Sequence, residues 1–309
     1  MNPTNTLINS FKAFKQQALG VLSIGFMIAA VYFFYPQLLS TTIGKLVCSL
    51  LVGLYIYYLQ RKATKNLAAA LQFIPSGESK AHFDAMISSC NMDPNKIRLR
   101  YSYTDSGIAM AMFDTVCIDP LLWNGLESDP EYLKALGVIE QYISPVIPVH
   151  IKERLPKFKQ ILSEGAQRFI FKHELGHVFN NYSEQKLLIT GMIGVLAAFI
   201  GISVAMATIS LSFGAFLLGL LSGGLADLLL SYASNLIFKL REEKNADLFA
   251  VTYSSPEDIE AAANFFEAHQ KIVNAHVEPD NILALLPQQL LTGHPDGKSR
   301  AGYLRKCSA

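Results

Sequence analysis

Charge is scarce in this sequence. Only 17% of the 309 residues are Asp, Glu, Lys or Arg, and 51% are hydrophobic, with a mean hydropathy of +0.27. Soluble proteins carry about 25% charged residues, so the deficit argues against a chain that is water-soluble along its whole length. The 26 basic and 25 acidic residues leave a net charge of only +1, which argues against a nucleic-acid partner.

Paired cysteines are also missing. The chain has four scattered cysteines and no C-x-x-C motif: Cys48, Cys90, Cys117 and Cys307. This pattern favours free, buried thiols in a reducing compartment over a disulfide framework or a cysteine zinc site.

The amino-terminal region lacks charge between Lys15 and Lys45. Residues 18–35 form an almost unbroken apolar run, and a second run covers about 41–59. Roughly 20 apolar residues span a bilayer, and no small-residue cleavage site follows the first run, so we expect a retained anchor. Basic residues flank both runs, so the positive-inside rule places both ends of this hairpin in the cytoplasm.

A second charge-free tract is longer. Residues 187–226 are 40 consecutive uncharged residues, about twice the length of one crossing at about 1.5 Å per residue. The polar stretch 208–212, near the middle of the tract, is suited to a turn between two crossings. The tract therefore predicts a second transmembrane hairpin, for a total of four spans. The alternative is a pair of apolar helices buried in a soluble core.

The region between the hairpins has ordinary charge density and predicts a water-exposed α/β segment. Residues 80–90 have a helical pattern, while 97–103 and 108–118 are typical of two strands. Residues 129–165 contain helical stretches interrupted by prolines, which suit either a lid or a spacer. The expected fold class is therefore α+β, mainly helical, with a small β-sheet.

The motif HELGH places two histidines four residues apart. His173 and His177 then share one face of a helix and can bind one metal ion, with Glu174 beside them. Zinc lowers the pKa of a bound water, and Glu174 is placed to take its proton as general base. The alternative is a surface helix that happens to carry two histidines.

A third ligand is expected directly after the second hairpin. Glu243 and Asp247 are again four residues apart, so Glu243 can complete the ligand set while Asp247 accepts the outer N–H of a ligand histidine. Glu242 competes by adjacency, but it points about 100° away around the helix. The alternative is a charged helix end at the membrane surface. Two crossings between His177 and Glu243 return the chain to the same side of the membrane.

These motifs, in this order and with the intervening hairpin, resemble the HtpX-type membrane metalloproteases, which are related to the CAAX prenyl proteases. The carboxy-terminal H-P-x4-R pattern, His294 to Arg300, belongs to the same resemblance. It implies one Zn²⁺ per chain, Glu174 as the base and a gluzincin-like zinc metalloprotease domain.

The resemblance also implies roles for residues outside the zinc ligands. It indicates that an edge strand pairs with the substrate through Ala109, Met110 and Ala111. His294 would stabilise the oxyanion, or His294-Pro295 would cap a helix. Arg300 would support the site, or would pair with a carboxylate to hold the carboxy-terminal segment.

The expected organisation has four parts. They are an amino-terminal transmembrane hairpin (1–65), a cytoplasmic catalytic region with the HELGH helix (66–186), a second transmembrane hairpin (187–238) and a third-ligand helix with the carboxy-terminal catalytic region (239–309).

We expect a multi-pass membrane protein, and the positive-inside rule places its active site on the cytoplasmic side. The expected membrane is the bacterial inner membrane, with an organellar membrane as the alternative. Its expected partners are the lipid bilayer and polypeptide substrates, in particular damaged or misassembled membrane proteins, and no nucleic acid. One alternative is a narrow-specificity, prenyl-protease-like processing enzyme. The other is a non-catalytic pseudoprotease that binds membrane proteins, although such a binder has no need for Glu174. The oligomeric state is not determined by the sequence.

Overall fold

A computed structural model describes residues 32–70, 73–103, 108–143, 145, 152–207, 213–274 and 296–308. Most of the first predicted span, the predicted turn at 208–212 and His294 lie outside these ranges. The described part is mainly helical, with one small sheet, as the sequence predicts.

The described helices and strands follow the chain in a simple order. The helices are α1 (Pro36–Ser40), α2 (Thr42–Ala70), α3 (Gly77–Ser89), α4 (Pro130–Val138), α5 (Leu155–Ile161), α6 (Glu164–Phe179), α7 (Tyr182–Ala207), α8 (Phe213–Tyr253), α9 (Pro256–Asn274) and α10 (Gly297–Ser308). The strands are β1 (Arg98–Tyr101), β2 (Ala109–Met112) and β3 (Thr115–Ile118). The chain divides into two compact units, one of residues 1–70 and 184–237 and the other of residues 71–183 and 238–309.

Long apolar helices form the first unit. Within the described ranges, three helical stretches are long and apolar enough to cross a membrane: Thr42–Lys65, Tyr182–Ala207 and Phe213–Tyr253. Many of their large apolar side chains are exposed, among them Leu54, Leu196, Leu221 and Leu228. Side chains of this kind suit a lipid environment. The remaining predicted span, the first along the chain (residues 18–35), falls largely outside the described residues.

Glycines set the packing of two of these helices. A Cβ atom added at Gly201 would lie 2.7 Å from the carbonyl oxygen of Gly219, and one at Gly219 would lie 2.6 Å from the carbonyl oxygen of Gly201. The backbones of α7 and α8 therefore approach as closely as only glycine allows. Small residues at helix crossings are typical of membrane helices, where packing rather than hydrophobic burial drives association.

A small sheet lies in the second unit. Its strand order is β1-β3-β2, with β1 parallel to β3 and β2 antiparallel to β3. The prediction of one strand over 108–118 is wrong, because the chain reverses at Phe113 and Asp114 and forms a two-residue hairpin. Phe113 has a φ of 54°, and its N–H donates to Ser183 Oγ at 2.9 Å, which holds the turn without glycine.

The core of the second unit packs one side of the sheet against helices. Phe83 of α3 and Phe171 of α6 lie with ring centroids 5.0 Å apart and are fully buried. A separate cluster joins α9 and α10 to α6 through Phe169, Ile259 and Leu304. Helix α6 is therefore held on two sides, which fixes the orientation of the residues that it carries.

Helix α8 is continuous over 41 residues, so one helix carries both the last predicted span and Glu243. It runs through residues 238 and 239, where the sequence predicts a change from membrane hairpin to catalytic region. Lys239 and Arg241 change the polarity of the helix surface there, but no glycine or proline interrupts residues 225–253.

All four cysteines are free. Cys90 and Cys117 are buried, as expected, but Cys307 is exposed.

Candidate metal centre

Helix α6 presents the two histidines of the HELGH motif. Its first turn is capped by Ser163, whose Oγ accepts from the N–H of Ala166 at 3.3 Å. His173 and His177 follow one turn apart on the same face, with ring centroids 4.7 Å apart, and both are buried. The helix ends at Phe179 with Asn180 as its C-cap, and Asn181 takes a left-handed conformation with a φ of 52°.

A close helix crossing brings α8 to these histidines. A Cβ added at Gly176 would lie 2.9 Å from Cα of Ala246 and 3.0 Å from Cβ of Phe249. Gly176 is inside the HELGH motif and Ala246 lies three residues after Glu243. The absence of a side chain at Gly176 therefore lets the two ligand-bearing helices touch.

His173, His177 and Glu243 converge at this crossing. Their potential ligand atoms all lie within 4.8 Å of one another, and all three residues are buried. His173 Nε2 lies 3.5 Å from Glu243 Oε2, and His177 Nε2 lies 3.6 Å from Glu243 Oε1. Tetrahedral bonds of about 2.0–2.1 Å to zinc would separate neighbouring ligand atoms by about 3.4 Å. The observed spacing and the two-histidine, one-carboxylate donor set fit a zinc ion.

His173 is oriented by a buried ion pair. Its Nδ1–H donates to Asp247 Oδ1 at 2.8 Å. Arg300 in turn donates to both carboxylate oxygens of Asp247, at 2.5 and 2.9 Å, and its guanidinium lies 3.9 Å from the ring centre of Phe266. This chain of contacts fixes the ring so that Nε2 faces Glu243.

The same contacts control the charge of His173. Burial and the Arg300 guanidinium lower the pKa of His173, but the carboxylates of Asp247 and Glu243 outweigh them and raise it to about 9. A metal ion binds only neutral imidazole, so metal binding at neutral pH has to release this proton.

His177 is held differently. Its Nδ1 is buried and has no hydrogen-bond partner among the described residues. The ring instead packs against Tyr182, with centroids 4.9 Å apart, and Tyr182 stacks on Phe238 at 5.7 Å. Tyr182 is not predicted from the sequence, because no spacing rule marks an aromatic residue after a helix break.

Glu174 lies beside the ligand set and contacts the sheet. The backbone N–H of Ala111 donates to its carboxylate. Part of its surface is exposed, yet desolvation raises the pKa of its carboxyl above the ordinary value, against the opposing effect of the two histidines. A carboxylate with a raised pKa is a better proton acceptor near neutral pH.

Strand β2 is at the edge of the described sheet. Asp119 N–H donates to the carbonyl of Ile108 at 2.9 Å, and antiparallel pairing alternates along a strand. The backbone groups of Met110 therefore face β3, whereas those of Ala109 and Ala111 point outward. The outward N–H of Ala111 is the one that binds Glu174.

Glu242 is also buried, but it does not belong to the group of potential ligands formed by His173, His177 and Glu243. Asn245 Nδ2 donates to its Oε1 at 3.3 Å. The structure thus brings together six of the predicted site residues around one point and places Ala109, Met110 and Ala111 on the neighbouring strand. His294 lies outside the described residues.

Comparison with known proteins gives one match. The family model described as Peptidase family M48 matches residues 153–308. This segment contains His173, Glu174, His177, Glu243 and Asp247. No curated protein and no solved structure matches the chain. Because the matched segment covers just over half of the 309 residues, the chain belongs to peptidase family M48, a family of metallopeptidases.

Proposed function

We propose that this protein is a multi-pass membrane zinc endopeptidase whose active site faces the cytoplasm and which hydrolyses damaged or misassembled membrane proteins. The observation that carries the proposal is the convergence of His173, His177 and Glu243, with Glu174 placed against an edge strand. The family supports metallopeptidase chemistry, and the donor set supports zinc.

The ligand residues and Glu174 have separate tasks in this proposal. His173, His177 and Glu243 would hold the ion, leaving a fourth position open. When bound, zinc supplies Lewis acidity and lowers the pKa of a water molecule towards 7. Glu174 accepts the proton of the attacking water and then donates it to the leaving amine, a role that its raised pKa favours.

Substrate pairing with β2 would explain how varied sequences are accepted. An extended peptide added to the sheet edge binds mainly through its backbone, so its side chains are only loosely selected. The N–H and carbonyl of Ala109 and the carbonyl of Ala111 point away from β3 and are open to a substrate backbone. The N–H and carbonyl of Met110 are paired with β3. The hydrogen bond from the N–H of Ala111 to the carboxylate of Glu174 would keep this base next to the bound peptide.

Membrane embedding rests on the apolar unit. Three stretches have the length and composition of membrane spans, with exposed leucines along their surfaces. Residues 18–35 would supply the fourth span. The basic residues Arg61, Lys62 and Lys65 would mark the cytoplasmic end of α2.

The test compares three purified proteins in detergent: wild type, Glu174→Gln and Glu164→Gln. Glu164 is an exposed residue in the first turn of the same helix, so its replacement controls for a change of charge on α6. Each protein is stripped with a chelator, reloaded with zinc and given an unfolded, casein-like substrate. We expect zinc-dependent cleavage by wild type and Glu164→Gln, and a loss of at least about 100-fold in Glu174→Gln.

The other outcomes select between the alternatives. Zinc binding without cleavage of casein by wild type would contradict a broad endopeptidase and favour the prenyl-protease-like processing enzyme or the pseudoprotease. Equal cleavage by wild type and Glu174→Gln would contradict the assignment of Glu174 as the base.

A further inference from the structure

We infer that Tyr182 is a positioning residue that holds the imidazole of His177 by ring packing, in place of a hydrogen-bonded partner. This inference rests on the proposed metal centre and adds a residue to it. Tyr182 lies five positions after His177 and outside the HELGH motif.

The two ligand histidines differ in how they are held. His173 donates from Nδ1 to Asp247, which is itself bound by Arg300. A ligating histidine usually donates its outer N–H in this way, which fixes the tautomer and the ring angle. His177 is equally buried, but its Nδ1 has no partner among the described residues. Some other contact has to set the angle of its ring.

Tyr182 makes that contact. Its ring lies 4.9 Å from that of His177, at an interplanar angle of 41°. Behind it, Phe238 stacks almost parallel, with centroids 5.7 Å apart and an angle of 10°. The three rings form a column from α6 across the start of α7 to α8. Aromatic pairs at such distances are stabilised beyond what simple burial provides.

The backbone on both sides of Tyr182 is fixed. Asn181, in the left-handed conformation, donates its N–H to the carbonyl of Val178 at 3.0 Å. On the other side, Ser183 Oγ accepts from the N–H of Phe113 at 2.9 Å. Tyr182 is therefore held against His177 by the break between α6 and α7.

The half-buried ring of Tyr182 lies directly against the ring of His177. A ring at this position restricts rotation of His177 about its Cβ–Cγ bond, so that Nε2 stays directed at Glu243 before a metal ion arrives. Such preorganisation increases metal affinity without adding a ligand.

The experiment measures zinc affinity by competition with a chromophoric chelator in detergent, using the full chain. Tyr182→Leu removes the ring, Tyr182→Phe removes only the hydroxyl, and Phe238→Leu removes the ring behind it. Tyr253→Leu is the matched control, because Tyr253 is another half-buried tyrosine packed on a phenylalanine, Phe249, at 4.9 Å.

The inference predicts a graded result. Tyr182→Leu should bind zinc about 10- to 100-fold more weakly than wild type, in the range known for residues that orient metal ligands. Phe238→Leu should show a smaller loss, and Tyr182→Phe and Tyr253→Leu should stay within about twofold. The visible spectrum of the Co²⁺-substituted protein should change in Tyr182→Leu and not in Tyr182→Phe.

Three results would overturn the inference, and they are distinguishable. Equal zinc affinity of Tyr182→Leu and wild type would remove Tyr182 from the metal centre and leave that centre intact. A loss in Tyr182→Phe as large as in Tyr182→Leu would assign the effect to the hydroxyl instead of the ring. No zinc binding by wild type would overturn the metal centre itself, and this inference with it.

Discussion

Asp247 Oδ1 lies 2.8 Å from Nδ1 of His173, and the same carboxylate accepts hydrogen bonds from Nε and Nη2 of Arg300. The ligand histidine is thus tied through a buried carboxylate to α10. His173 is on α6, Asp247 is on α8 and Arg300 is on α10. These contacts therefore join the three helices that build the centre.

Replacing Asp247 by Asn should weaken metal binding without abolishing it. The amide keeps the size of the side chain but removes the charge that holds His173 and Arg300, so zinc affinity should fall about 10- to 100-fold. Chelator competition measures the change.

Asp258→Asn is the control, because Asp258 is another buried aspartate bound by an arginine, Arg168 at 2.7 Å. It should lower the melting temperature while leaving zinc affinity within about twofold. A similar loss of zinc affinity in both variants would contradict a specific role for Asp247.

Gly176→Ala should separate the two ligand helices. The new methyl group would meet the backbone of Ala246 at 2.9 Å, and overpacking of this kind costs about 1–3 kcal/mol. We expect a lower melting temperature together with weaker zinc binding. Gly302→Ala in α10 meets nothing within 4 Å and should be neutral or stabilising by about 0.5–1 kcal/mol. A Gly176→Ala protein with wild-type stability and affinity would show that the crossing is not close.

Asp129 should make the fold sensitive to acid. Burial would raise the pKa of its carboxyl, but hydrogen bonds from Ser76, Glu131 and Tyr101 outweigh burial and lower the pKa below its ordinary value. In the unfolded chain an Asp carboxyl has a pKa of about 3.9. Because the pKa of Asp129 is lower in the folded protein, its full contribution to the free energy of unfolding is present above that pH and is lost as the pH falls through the pKa of the folded state.

The melting temperature of wild type should therefore decline below about pH 4. Asp129→Asn should melt lower at neutral pH and show a flatter decline in acid. Parallel melting curves of the two proteins across pH 3–6 would contradict this contribution.

Chemical labelling of Cys307 shows on which side of the membrane the carboxy-terminal part of the catalytic region lies. It is exposed, whereas Cys90 and Cys117 are buried, so a membrane-impermeant maleimide should label it preferentially. With the active site in the cytoplasm, labelling should occur in inverted inner-membrane vesicles and not in intact spheroplasts. Cys307→Ser identifies the labelled residue. Labelling in intact spheroplasts that disappears in Cys307→Ser would reverse the proposed orientation.

Local spacing was enough to predict which of the candidate residues converge. The i, i+4 spacing of His173 and His177, and of Glu243 and Asp247, fixes which residues share a helix face, and the structure brings these four residues together. The spacing does not specify the partner of each ligand histidine. Asp247 contacts His173 because of the helix crossing at Gly176, a tertiary feature that no periodicity reveals.

The errors have identifiable physical causes. The hairpin at Phe113 was missed because its turn contains neither glycine nor proline and is held by a distant side chain, Ser183. Tyr182 was missed because its role depends on packing with Phe238, which is 56 residues away in the chain.

The most direct test of the central claim measures the zinc content of Glu243→Gln and of Glu242→Gln. These adjacent glutamates are both buried on α8, so the two variants remove the same charge from the same helix. The account predicts one zinc per chain in wild type and in Glu242→Gln after dialysis against a weak chelator, and almost none in Glu243→Gln. Retention of zinc by Glu243→Gln together with its loss from Glu242→Gln would contradict the ligand set on which the account depends.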